Sequence, residues 1–420
     1  MSAAAPSLRE ELLALLAYSP LGEAAGNVTL GSGTLDGHRV HVGLVENRGA
    51  SGAIGVAEAE RLGSIFKVAR AERAALVLFL NSAGAKVSEG LRALGAFRRL
   101  YAAGLEALFD DTPVAVALGR NCFGGSSMLA HLGRRRLFAA DSKLAMSGPA
   151  VIAAASGSNP LDEMFRAMVD ASIAASRRVE VSPLNTLWSP GMDLGDWLRE
   201  SLAPAPLPVA ERLAKHHVDL AARFPKARAE PRWEEVRRAD LDRLYPGGYS
   251  ARESHGVLTG TARVDDGEVQ LVGLLGPTPV RAARAWEFAE AAWKLRGRSL
   301  SRVEVLLDCA SHAPALDDER LIQTEYIVDM AMALHALARE GAQVGCTVLG
   351  KAGGGVYVAL AAPASRVTSV YGAADIQVLP GAAVAAILGE SRDSAAAFDE
   401  YRTAGVAERE AKLGLVPGKK

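Results

Sequence analysis

Cysteine is scarce. Of 420 residues only Cys122, Cys309 and Cys346 are cysteines, and no Cys-x-x-Cys occurs. So scattered and odd a set builds neither a disulfide framework nor a zinc ribbon, and it fits a reducing cytoplasm. A dominant charge is lacking as well. Forty-seven basic against 48 acidic residues leave a formal charge of −1, so no global field favours nucleic acid or an anionic membrane. No apolar run reaches the roughly 18 residues of a membrane span, and no basic segment followed by an apolar one opens the chain. The expectation is a soluble, cytoplasmic protein. Gly-x-Ser-x-Gly and His-Glu-x-x-His are missing, which removes the common hydrolase and zinc-protease readings, and no metal site is expected. Gly345 to Ala352 nearly spells a nucleotide-binding loop, but Ala352 stands where magnesium needs a hydroxyl, and an apolar strand fills the interior of the match. What is present is ordinary for a globular chain with room for two domains: 49% hydrophobic and 23% charged residues.

Taken in order, Leu8 to Tyr18 has helical spacing. Val28 to Leu35 and Val40 to Val45 read as strands joined at Asp36-Gly37, a tight-hairpin dipeptide. A helix is expected over Val56 to Arg73. The continuous apolar run Ala75 to Leu80 is a strand covered on both faces. It ends in the small-residue loop Asn81 to Lys86, and helical periodicity resumes over Val87 to Leu108. A second buried strand, Pro113 to Leu118, runs into Gly119-Arg120-Asn121-Cys122-Phe123-Gly124-Gly125-Ser126-Ser127, read as a glycine turn opening a helix. Alternating strand and helix call for a mostly parallel sheet whose ligands gather at the carboxyl ends of its strands.

From Ser182 to Gly256 prolines and dense charge suggest a helical linker. Beyond it the first order returns. Strands at Gly256 to Val264, Val269 to Leu274 and Val303 to Leu307, helices at Pro279 to Arg296 and Glu319 to Glu340, and a strand at Val344 to Leu349 lead to Gly350-Lys351-Ala352-Gly353-Gly354-Gly355. Matched order at so long a spacing means duplicated domains. The expected division is 1–181, a linker 182–255, and 256–420. At a glycine turn, backbone N–H groups can approach a ligand closely, and a helix start attracts developing negative charge, which makes an oxyanion site without a charged side chain. Of the histidines, His131 and His312 fall nearest the site loops, while Ser126, Ser127 and Ser147 read as helix caps.

These residues resemble the carboxyltransferase branch of the crotonase-like superfamily, most closely the beta and gamma subunits of biotin-independent malonate decarboxylase joined in one polypeptide. Asn81 to Gly90 is similar to that family's Ser-Gly-Gly-Ala/Val-Arg-x-Gln-Glu loop, and Cys122 to Ser127 to its Cys-Phe-Gly-Gly-Met-Ser. Leu144 to Pro149 looks like Leu-Gly-Leu-Asn-Gly-Pro, and Gly350 to Gly355 like the gamma subunit's Gly-Lys-Ala-Met-Ser-Gly. Lys86, Ala150 and Gly354 depart from the family's Arg, Glu and Ser.

The resemblance implies two tandem crotonase-like α/β domains with mixed, mostly parallel sheets flanked by helices. It implies decarboxylation of a malonyl-type thioester, whose enolate oxygen needs preorganised donors. Gly84 and Ala85 would supply one N–H and Gly124 and Gly125 another, with Gly353 and Gly354 in a partner hole beside Ala310. Ser82, Ala83, Phe123, Ser147 and Gly148 would line the substrate. Arg120 and Arg134 to Arg136 are expected phosphate contacts for coenzyme A or the phosphopantetheine of an acyl carrier protein, carried as part of the substrate with no covalent cofactor. A homo-oligomer is expected. A biotin-dependent acyl-CoA carboxyltransferase and a silent carrier-protein docking module remain as alternatives.

Overall fold

The computed structural model describes residues 6–157, 162–225, 231–265, 267–276, 278–388 and 396–412. Two mixed sheets form its frame, and each begins with an antiparallel hairpin because a short turn can join only antiparallel neighbours. In the first, Val28–Leu35 pairs with His38–Val45. Asp36 and Gly37, with φ of 51° and 80°, supply the left-handed pair that a two-residue hairpin demands. Ala75–Ser82, Val114–Phe123 and Arg135–Phe138 then add in parallel. Helices Val56–Glu72 and Leu91–Phe109 make the crossovers. In the second half the hairpin is Val257–Val264 with Gly267–Leu275, followed in parallel by Arg302–Cys309, Gln343–Gly353 and Arg366–Val370. Helices Ala282–Trp293 and Gln323–Arg339 are the matching crossovers. The expected α/β architecture, mostly parallel sheets flanked by helices, is the one observed.

The duplication extends to irregularities. Pairing between Ala75–Ser82 and Val114–Phe123 slips between Leu80 and Ser82, and pairing between Arg302–Cys309 and Gln343–Gly353 slips between Leu307 and Cys309. A short extra strand follows each slip, Lys143–Ala145 on the first sheet and Asp375–Gln377 on the second.

The strands entering the glycine turns run further than the apolar pattern suggested. Gly119 to Phe123 is strand, as is Gly350 to Gly353, and only Gly124 and Gly354 turn the chain, with φ of +55° and +54°. Gly119 is needed for packing: a Cβ there would lie 2.8 Å from the Asn81 Cβ and 3.0 Å from the Phe79 ring. The helix after the first turn, Gly125–Ala130, has six residues. So short a helix has little macrodipole, and its chemistry rests on its free N–H groups.

Within 182–255 the chain contributes to both halves. Asn185–Leu187 pairs with Arg135–Phe138, and Trp188, Leu194, Trp197 and Leu198 share a core with Val77, Phe79 and Leu137. Tyr249–Ser254 pairs with Val257–Val264. One apolar cluster holds Leu80, Phe97 and Met128 together with Leu307, Met332 and Val356, so the contact between the halves is itself core. Arg98 crosses it, donating to the Ala361 carbonyl at 3.0 Å and pairing with Glu408 at 2.6 Å. Among the described residues no helix is long and apolar enough to cross a membrane.

Candidate active site

Both glycine turns open onto one cavity of about 260 Å³ within a single chain. Ala83, Ala85, Phe123, Gly124, Gly125, Met146, Ser147 and Gly148 line it from the first half, and Ser311, His312, Gly354 and Gly355 from the second. Its lining includes no Asp, Glu, Lys or Arg, and His312 is its sole titratable side chain among the described residues.

The donors follow from the backbone. In the first half, the Ile54 N–H donates to the Gly84 carbonyl at 2.8 Å, and the Lys86 N–H to the Ile54 carbonyl at 2.9 Å. This isolated bridge leaves the Ala85 N–H, between them, with no acceptor among the described residues. Gly84 makes the bend possible, since its φ is +102° and a Cβ would lie 2.7 Å from the Phe123 carbonyl oxygen. Gly125 is the first residue of its helix, a position with no intrahelical acceptor. It lines the cavity, while the N–H of Gly124 donates to the Ala145 carbonyl at 3.1 Å. Ala85 and Gly125 are therefore two cavity-lining residues on this side whose N–H groups have no acceptor among the described residues, with Gly84 and Gly124 shaping the backbone.

The second half repeats the arrangement with a shift from expectation. The Val280 N–H donates to the Ser311 carbonyl at 2.9 Å and the Ala313 N–H to the Val280 carbonyl at 2.8 Å. His312 therefore occupies the place of Ala85, Ser311 that of Gly84, and Ala310 that of Ala83. Gly354 matches Gly124 in φ, so Gly355 matches Gly125, and Gly353 takes the place of Phe123. Gly353 and Ala310 abut one another instead of the cavity: a Cβ on Gly353 would lie 2.9 Å from the Ala310 oxygen.

Side chains supply what sequence reasoning left unassigned. Ser147 Oγ lies 2.9 Å from His312 Nε2, and His312 Nδ1 lies 3.2 Å from Ser311 Oγ, a hydrogen-bonded chain across the two halves. Burial pushes the His312 pKa down to about 4, so the imidazole is neutral at pH 7. Behind it Glu319, fully buried, accepts from the Ser147 N–H at 2.7 Å and the Met146 N–H at 3.3 Å. Burial raises its pKa to about 7 against the opposing pull of Arg178, which lies 3.6 Å away. The signal available in the sequence was the alignment of the two loops, which sets His312 opposite Ala85.

Other expected site residues lie apart from the cavity. Ser82 is behind the loop, its Oγ accepting from the Gly84 N–H at 3.1 Å. Arg120 is exposed on its strand and outside the lining. Arg134 donates to the Ala203 carbonyl at 2.9 Å, and Arg136 is buried against Asn185 at 2.6 Å. Lys86 pairs with Glu89 at 2.9 Å.

Residues 13–167 match the family described as carboxyl transferase domain. No curated protein matches the chain. Among solved structures the chain is similar to transcarboxylase 12S with methylmalonyl-coenzyme A and methylmalonic acid bound, at 18% identity over 97% of this chain and 87% of that one, with a TM-score of 0.37. It is similar to a Pseudomonas malonate decarboxylase hetero-tetramer in complex with malonate, at 18% identity over 53% of this chain and 92% of that one, TM-score 0.44. Likeness to the beta subunit of P. aeruginosa geranyl-CoA carboxylase is 14% over 97% and 84%, TM-score 0.34.

Proposed function

We propose that this chain is an enzyme that decarboxylates a malonyl-type thioester to the acetyl thioester and carbon dioxide. The observation that carries the reading is the pair of acceptor-free N–H groups, Ala85 and Gly125, in a cavity whose lining holds no charged side chain. A carboxylate entering that lining leaves water and meets no cation. When the carbon–carbon bond breaks, carbon dioxide departs as a neutral molecule and the electron pair moves to the thioester oxygen. Only then is there charge for the N–H pair to hold, so the stabilisation favours the transition state over the ground state. One such donor is worth about 3 kcal/mol. A proton then reaches the carbanionic carbon, and Ser147 with His312 is the proton-bearing pair at hand.

At about 260 Å³ the cavity is smaller than the roughly 300–1,000 Å³ of drug-sized sites, which suits the acyl end of one thioester. The rest of a coenzyme A or carrier-protein arm would lie outside it, and self-association of the chain remains part of the proposal. A second reading draws on the repeated loop around His312 and Gly355. A second donor pair suits a second carbonyl, as in carboxyl transfer between carboxybiotin and an acyl-CoA.

The test is incubation of purified protein with malonyl-CoA, and separately with a malonyl carrier protein, without biotin or ATP, following the acetyl thioester by mass spectrometry. Acetyl product that disappears in Gly125→Val establishes the decarboxylase. No product from either thioester overturns it, and turnover on adding a carboxybiotin donor then identifies the transferase. Thioester binding without turnover under all conditions identifies the docking module.

A further inference from the structure

A second cavity of about 260 Å³ lies at the far end of the helix Gly125–Ala130. At 1.5 Å per residue that helix is about 9 Å long, and His131, which ends it, lines the second cavity. The two cavities differ in chemistry. Arg134, Arg136, Arg212, Lys215 and Arg223 line the second, against the carboxylates of Glu325 and Asp219.

Glu325, 1% exposed, is already shared: Arg223 lies 2.7 Å from it, His216 3.2 Å and Arg136 3.3 Å. Arg212 reaches Asp111 only at 3.8 Å, and its Nη1 is buried without a hydrogen-bond partner among the described residues. The pKa of Arg136 is lowered by burial and by the nearby Arg223, and that of Arg212 by burial and by Arg134. Positive charge is thus in excess around the cavity. Three further buried atoms of the lining have no hydrogen-bond partner among the described residues: His131 Nε2, Ser182 Oγ, and Glu325 Oε2, the last within ion-pair distance of Arg223 and His216. Nδ1 of His131 donates to the Ser127 carbonyl, 2.6 Å away, which leaves Nε2 as a lone pair 3.6 Å from Glu325, beyond hydrogen-bond reach.

We propose that this cavity is a binding site for the phosphate group of a small molecule, held by Arg212, Lys215 and Arg223, with the Ser182 hydroxyl donating to it. Guanidinium groups match phosphate oxygens in bidentate geometry, and a lysine at the mouth adds a mobile cation. Lys215 is exposed, so the site is open to solvent on that side. The inference is independent of the reaction assigned to the first cavity.

Pyrophosphate is the probe, titrated calorimetrically into the full chain at low salt, with sodium chloride at equal ionic strength as control. The expected result is saturable binding of one equivalent, weakened at least tenfold in Arg212→Ala and in Lys215→Glu. The second substitution is at an exposed helix position and leaves the fold intact, as circular dichroism would confirm. Absence of saturable binding, or wild-type affinity in both variants, overturns the proposal. Competition by coenzyme A would identify the phosphates of a thioester carrier as the source. Its failure to compete, with pyrophosphate bound, would identify a separate phosphate ligand, and either result keeps the site.

Discussion

At the scale of single residues, the consequential difference between the halves is His312 opposite Ala85. With its pKa near 4, the imidazole stays neutral across the working range and binds both Ser147 and Ser311. Its proton signals are expected to show no titration between about pH 5 and 9 by NMR, and an inflection near 6.5 would contradict the burial described. If the pair delivers the proton, His312→Ala should lower kcat by about 100-fold and leave KM nearly unchanged. A rise in KM alone would assign the residue to packing. Gly84 gives a stability prediction. Its φ of +102°, and the Phe123 oxygen only 2.7 Å from where an added methyl group would sit, make Gly84→Ala costly, about 2–3 kcal/mol in urea unfolding. Gly37, with φ +80° and open space around it, should lose only about 1 kcal/mol on the same change. The glycines were visible in the sequence because few residues turn a chain so sharply. The Ser147–His312 contact was not, since its partners lie 165 positions apart: Ser147 alone reads as a cap, and His312, though near a site loop, has no visible partner in the sequence.

At the scale of elements, strand and helix order was legible from apolar periodicity, and the ends were not. Gly119 to Phe123 carries a glycine, an arginine and an asparagine, so its pattern reads as turn, yet pairing with Lys143–Ala145 holds it extended. Tertiary pairing overrode local composition. The helix Val209–Ala221 shows the same lesson in charge. Its His217 sits between Asp329, 2.6 Å from Nδ1, and Glu290, 2.8 Å from Nε2, and stacks on Trp286 at 4.9 Å. Although burial opposes it, those two carboxylates raise the His217 pKa to about 9. A folded pKa above the unfolded value of about 6.5 means that the stabilisation is complete below pH 6.5 and is lost as pH rises through 9. The unfolding free energy from urea titration should therefore decline over that window, by on the order of 3 kcal/mol at 1.36 kcal/mol per pKa unit. His217→Gln should flatten the decline. An equal slope in that variant would place the effect elsewhere.

For the whole molecule, the joining of both turns in one chain decides how the site is assembled. Because Gly125 and His312 line the same cavity of the same chain, mixing the inactive variants Gly125→Val and His312→Ala should restore no activity. Recovery toward a quarter of wild type would mean that the site forms between chains. The duplication itself was readable from repeated order and spacing, whereas the closeness of the halves was not, for it depends on a continuous apolar core whose members are far apart in sequence. The two loops that meet there are copies in backbone and unequal in substance: one presents a methyl group, the other an imidazole. A planar enolate seated on the Ala85 and Gly125 N–H groups would face that imidazole from one side only. Handedness follows. From a methyl-branched malonyl thioester in deuterium oxide, such a pocket would release a product of a single mirror form.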